Sequence, residues 1–141
     1  MKNNYLIITV LIMSISSVIY AQTESSPDNR LLAKYSTEYL SNLQETQPQM
    51  IEYLNFELNN GFTFVDIPEE KAEQFPYLRY FNGKEQGDIV EEIPTGSLNL
   101  ALYEYERNYS SRTTYRIGSN QAIVFYSIKE MSELFNSSHD E

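Results

Sequence analysis

The chain reads as an α+β domain: an N-terminal helical pair, an antiparallel sheet ending in a three-stranded meander, and a short C-terminal helix. Three observations carry that reading. Apolar residues recur at helical spacing from Leu31 to Leu58. Short alternating or apolar runs follow, among them "FTFVDI", "SLNLALYEYE", "TTYRI" and "AIVFYS". Last comes "SIKE", a capping-box pattern that opens a final apolar stripe. Helices first and strands grouped afterwards favour an antiparallel sheet with helices on one face.

The first segment stands outside the domain. Residues 5–20, "YLIITVLIMSISSVIY", follow Lys2 and precede Ala21 and the polar run "QTESSPDN". That order is the order of a secretory signal peptide, cleaved after Ala21. The apolar stretch is shorter than the roughly 20 residues needed to span a bilayer. No later window matches its hydrophobicity, so no membrane insertion is expected after cleavage. Residues 22–29 then form a flexible lead, residues 30–136 a single α+β domain, and residues 137–141 a disordered polar tail.

Ser26 can cap a first helix, with Pro27 at its first position and Asp28 in its first turn. Leu31, Leu32, Tyr35, Tyr39 and Leu43 extend it to about residue 46. Pro48 starts a second helix, striped by Met50, Ile51, Leu54 and Leu58, which "NNG" at 59–61 ends. A strand is expected over 62–67 and a short helix after Pro68, with Glu69 and Glu70 at the positive end of its dipole. "YLRYF" leads into Asn82-Gly83, a hairpin signal with only its first flank convincing. Residues 82–96 therefore read as a long loop, and loops of that length are often functional.

In the meander, a "GSNQ" turn sets Ile117 opposite Ala122 and Tyr115 opposite Val124. An earlier turn near Tyr109 sets Tyr103 opposite Tyr115. Side chains alternate by two along a strand. One face then carries Ala101, Tyr103, Tyr105, Tyr115, Ile117, Val124 and Tyr126. The other carries Leu98, Leu100, Leu102, Ile123 and Phe125, with Glu104 and Glu106 answered by Arg112 and Arg116 near the hairpin tip. Tyrosine with nearby arginine is a composition that interfaces favour. Tyrosine is also a good strand former, so a plain structural role is the default reading, and Tyr103, Tyr105 and Tyr115 are the candidate interaction surface if their face is uncovered.

Composition narrows the function further. Ten Lys and Arg stand against twenty Asp and Glu, a net charge of −10. Such acidity disfavours nucleic acid and anionic membrane surfaces as partners, and keeps a secreted chain soluble. There is no cysteine, so disulfides and a cysteine-linked lipid anchor are both excluded. Export without cysteine fits a bacterial periplasmic or secreted protein better than an animal extracellular module.

The single histidine, His139, lies in the polar tail. Serine and cysteine triads and the usual zinc, haem and iron–sulfur ligand sets are therefore lacking. Tyr80 and Lys84 match a dehydrogenase spacing without the glycine-rich turn that would hold a dinucleotide. Residues 82–93 echo a calcium loop only weakly, through Gly87 at the sixth position and Ile89 at the eighth. Lys84 and Gln86 stand at two acidic positions and Ile93 replaces the closing carboxylate, which leaves Glu85, Asp88, Glu91 and Glu92 as the carboxylates for at most a weak site. No cofactor and no metal are expected. The sequence points to a small exported, non-catalytic domain that binds a protein or cell-envelope component through its sheet face or the 82–96 loop. A carboxylate-dependent hydrolase acting on polysaccharide and a structural subunit of a surface assembly are the alternatives.

Overall fold

A computed structural model describes residues 25–83, 85–94 and 98–138. The expected signal peptide, Lys84, Gly96 and His139 lie outside the described residues. The order of elements is a 3-10 turn (Asn29–Ala33), α1 (Thr37–Thr46), α2 (Pro48–Asn60), β1 (Phe62–Asp66), α3 (Glu69–Ala72), β2 (Arg79–Asn82) and β3 (Glu85–Ile89). A second 3-10 turn (Leu100–Leu102), β4 (Tyr103–Glu104), β5 (Thr113–Ile117), β6 (Gln121–Phe125) and α4 (Ile128–Ser137) complete it. The chain is α+β, with the helical pair, antiparallel strands and short C-terminal helix in place.

The single first helix expected over 27–46 is two pieces. Asp28, rather than Ser26, caps a 3-10 turn by accepting from the Arg30 backbone N–H at 2.9 Å. Ser36 then adopts an extended backbone and caps α1 through its hydroxyl, which accepts from Tyr39 N–H at 3.2 Å. Two competing N-caps within one apolar stripe split it. Residues 25–28 are tied to α2, where the Asn55 side chain accepts from Asp28 N–H and donates to Ser26 O, each at 2.8 Å. Pro48 opens α2 and Gly61 ends it, as expected.

The strands are shared between two three-stranded sheets, ordered β1-β6-β5 and β3-β2-β4. The expected succession of the last three strands is thus divided, because β4 pairs with β2 and not with β5. Most of the stretch read as a strand from residue 98 is the second 3-10 turn, which Asn99 caps by accepting from Ala101 N–H at 3.1 Å. The 82–96 segment is also not wholly a loop, since Glu85–Ile89 pairs with β2 as a hairpin. Its sequence, "EQGDI", lacks apolar alternation; backbone pairing and a 3.0 Å bond from Arg79 Nη1 to Gly87 O hold it instead.

Residues 76–78 join the two sheets. Arg116 N–H donates to Pro76 O at 2.8 Å, Leu78 N–H to Arg116 O at 2.9 Å, and Val90 N–H to Leu78 O at 2.9 Å. The core lies between the helical pair and the sheets, and includes Leu40, Ile51, Leu58, Leu78, Val90, Leu100, Ile117, Ile123 and Phe125. Burying each such side chain contributes about 1.5–3 kcal/mol. The C-terminal helix carries the full capping box, with Ser127 and Glu130 each bonded to the other's backbone N–H. Phe135 seats it edge-on against Tyr53 and Phe56, centroids 5.5 Å apart in both cases.

Candidate functional site

The turn between β5 and β6 decides which side chains meet. It comprises Gly118 to Asn120 and is one residue tighter than the sequence arithmetic assumed, so Tyr115 pairs with Ile123 and Ile117 with Gln121. Gly118 has φ +58°, where a side chain is strained, and a Cβ there would stand 2.7 Å from Glu91 O. The turn therefore closes directly on the backbone of residue 91. One face of the sheet now carries Phe62, Phe64, Tyr115, Ile117, Ile123 and Phe125, and the other carries Ala122, Val124 and Arg116.

The pairing of β4 with β2 takes Tyr103 away from the other two candidate tyrosines, and the single-residue slip turns Tyr115 toward Phe125. Tyr103 sits in the other sheet, is only 3% exposed, and its ring packs 5.4 Å from Tyr80. Burial, and then the neighbouring Tyr80, raise its phenol above the ordinary range. Tyr105 and Tyr115 do come together, both against Phe125. Tyr105 stacks on that ring at 4.0 Å and Tyr115 meets it edge-on at 5.9 Å. Tyr105 also donates to Glu57 Oε1 at 3.2 Å, and burial pushes its phenol well up. Tyr115 OH accepts from Glu106 N–H at 3.0 Å. The three are not one exposed face.

The arginines are answered elsewhere than expected. Arg112 pairs with Glu130 at 2.9 Å and lies over the Tyr126 ring, not beside Glu104 or Glu106. Arg107 donates to Glu57 at 2.8 Å, with 8% and 17% of the two side chains exposed. Arg116 lies over Tyr77, its guanidinium carbon 3.6 Å from the ring centroid. The Arg116 Nε is buried with no hydrogen-bond partner among the described residues.

Two concavities border Tyr77. One is an open acidic cleft of about 550 Å³, floored by Ala72, Ile117 and Gly118. Asp66, Glu69, Glu73, Glu91 and Glu92 line it, with Arg116 as its cationic wall. All five carboxylates are exposed, and none is in an ion pair among the described residues. The other is a groove of about 420 Å³ between the two sheets, lined by Tyr77, Tyr105 and Tyr115 together with Arg79, Glu104 and Glu106. Two of the three candidate tyrosines therefore do line a recess, and Tyr77 is the wall it shares with the cleft.

Sequence reasoning missed Tyr77, Arg116, Asp66, Glu69 and Glu73 as a group. These positions are scattered between residues 66 and 116, and only the closure of the β5–β6 turn on residue 91 assembles them. Of the four residues in the calcium-loop echo, Glu91 and Glu92 line the cleft, whereas Glu85 and Asp88 lie on β3. Among the described residues, no group of three or more His, Cys, Asp or Glu is placed to hold a metal ion, and no helix is long and apolar enough to cross a membrane. Comparison with protein-family models, with curated proteins and with solved structures finds no match to this chain.

Proposed function

We propose that this chain is an exported, non-catalytic binding domain, and that its partner is a protein or cell-envelope component presenting cationic groups to the acidic cleft. One observation carries the reading: five carboxylates without ion-pair partners among the described residues surround one concavity, beside an aromatic groove that shares the Tyr77 wall. Five acids against the one arginine, Arg116, leave the recess with an excess of negative charge, which raises the local concentration of cations and steers their approach. The groove adds the half-buried rings of Tyr77, Tyr105 and Tyr115. One face of Tyr77 is taken by Arg116 and one of Tyr105 by Phe125, so the groove offers an aromatic border beside the charge and not an open stacking platform. Glu91 and Glu92 bring part of the 82–96 segment into this reading, and Tyr105 and Tyr115 bring the sheet.

Binding is preferred to hydrolysis on chemical grounds. A glycosidase needs one carboxyl kept protonated, usually by an apolar setting, beside an ionised one. Every carboxylate of the cleft faces solvent. The apolar segment at residues 5–20 supports export.

The test is calorimetric titration with Lys- and Arg-rich peptides at low and high salt. Binding is expected to weaken with added salt and to fall by about tenfold or more in a Glu69→Gln/Glu73→Gln variant. Unchanged affinity in that variant would sink the reading.

A further inference from the structure

We infer that the outer edge of β1 accepts an extended strand of a partner protein, whose basic end enters the acidic cleft. This rests on the cationic-partner reading above and adds the mode of capture.

The backbone supplies the argument. Tyr126 N–H donates to Gly61 O at 3.0 Å, and Ile67 N–H donates to Asn120 O at 2.8 Å. These two bonds bracket the antiparallel pairing of β1 with β6, which runs without a bulge from Phe62↔Phe125 to Asp66↔Gln121. Hydrogen-bonded and non-bonded pairs alternate in such a ladder. Thr63 and Val65 therefore turn their N–H and C=O groups toward β6, and Phe62, Phe64 and Asp66 turn theirs outward. β1 is the terminal strand of its sheet, and those outward groups have no hydrogen-bond partner among the described residues.

Natural sheets blunt such edges with lysine, proline or a bulge, because an open edge templates pairing. β1 has none of the three. It exposes Phe64 by 38% and Val65 by 37%, on opposite faces, so an added strand would find an apolar contact on each side of its own pleat.

Charge selects the occupant. Asp66 ends β1, and Glu69 and Glu73 follow on the next turn of chain; all three line the cleft. A strand with alternating apolar residues and terminal Lys or Arg would pair along the edge and discharge into the cleft. A second copy of this chain brings its own net charge of −10, which disfavours its approach to the acidic cleft.

The full chain, labelled for NMR, is titrated with a synthetic peptide that alternates Val and Thr and ends in Arg-Lys-Arg. Amide exchange of Phe62, Phe64 and Asp66 is expected to slow about tenfold or more at saturation. A peptide N-methylated at alternate amides should bind about tenfold more weakly, since it keeps its charge and loses the ladder. Binding without edge protection and without sensitivity to N-methylation overturns the strand mode and leaves the cleft reading standing. Edge protection that survives Glu69→Gln/Glu73→Gln unchanged overturns the charge assignment instead. Absence of binding at millimolar peptide overturns both. Edge protection that grows with protein concentration alone assigns the edge to a second copy and overturns the hetero-partner.

Discussion

The Arg116 guanidinium lies over the Tyr77 ring, its central carbon 3.6 Å from the ring centroid, and Arg116 N–H donates to the backbone one residue before that tyrosine. Side chain and main chain thus fasten the same two segments. Cation–π pairs contribute from about 0.5 kcal/mol when exposed to about 2 kcal/mol when desolvated, and this one is half-buried. Tyr77→Leu, which keeps bulk and removes the ring face, should lower stability by that amount in urea melts. Arg116→Lys should lose nearly as much, because an ammonium cannot stack as a plane does. An unchanged midpoint in both variants would assign the pair no energetic role.

A larger effect is expected at Arg107 and Glu57. The pair is nearly dry, and Arg107 Nη1 also donates to Gly61 O at 2.9 Å and Tyr126 O at 2.7 Å. Removing one member strands a buried charge, which costs about 3–5 kcal/mol. Arg107→Met and Glu57→Met should each approach that loss. The double variant should lose less than the sum of the two, a coupling that a double-mutant cycle by chemical denaturation measures.

Gly61→Ala tests the same knot from the backbone. Gly61 has φ −83°, which any residue adopts, so conformational strain is not at issue. A Cβ there would instead run into the Arg107 guanidinium and stand 2.9 Å from Glu57 O. Overpacking of this kind costs about 1–3 kcal/mol. The loss should shrink in an Arg107→Met background, whereas a loss of equal size in both backgrounds would refute the steric account.

Acid should loosen the C-terminal helix. Glu130 is held at about 2, below its ordinary 4.5, first by the hydrogen bond from Arg112 and then by the Ser127 backbone N–H. A carboxyl depressed in the folded state contributes stability that is complete above about 4.5 and is lost as pH falls toward 2. Glu130→Gln should flatten the stability profile across that window. Because the Arg112 pair is solvent-exposed, added salt should shrink the difference. A profile identical to that of the parent chain would show that the pair contributes nothing.

The parts legible in the sequence were those governed by neighbours in the chain. Pro48 at the start of α2, the Ser127–Glu130 box and the apolar runs of β1, β5 and β6 all behave as their local chemistry dictates. Pairing was less legible, because it depends on residues far apart. Nothing local to Tyr103 and Glu104 says that β2 will claim them. The turn at Gly118 shows how little error matters: one residue of tightening moved Tyr115 from the presumed open face onto Phe125. The cleft was the least legible feature. Its carboxylates look like ordinary surface charge until the turn meets residue 91.

The Arg107 clasp also has a meaning in time. Its three anchors lie 50, 46 and 19 positions away along the chain, in α2, at its end, and just after β6. Closing such long loops costs entropy before any contact rewards it, so the clasp forms once both ends are already in place. Contacts absent from the folding transition state govern the rate of escape from the native state. Arg107 is therefore a brake on unfolding: losing it should shorten the lifetime of the folded chain far more than it delays the chain's first arrival there.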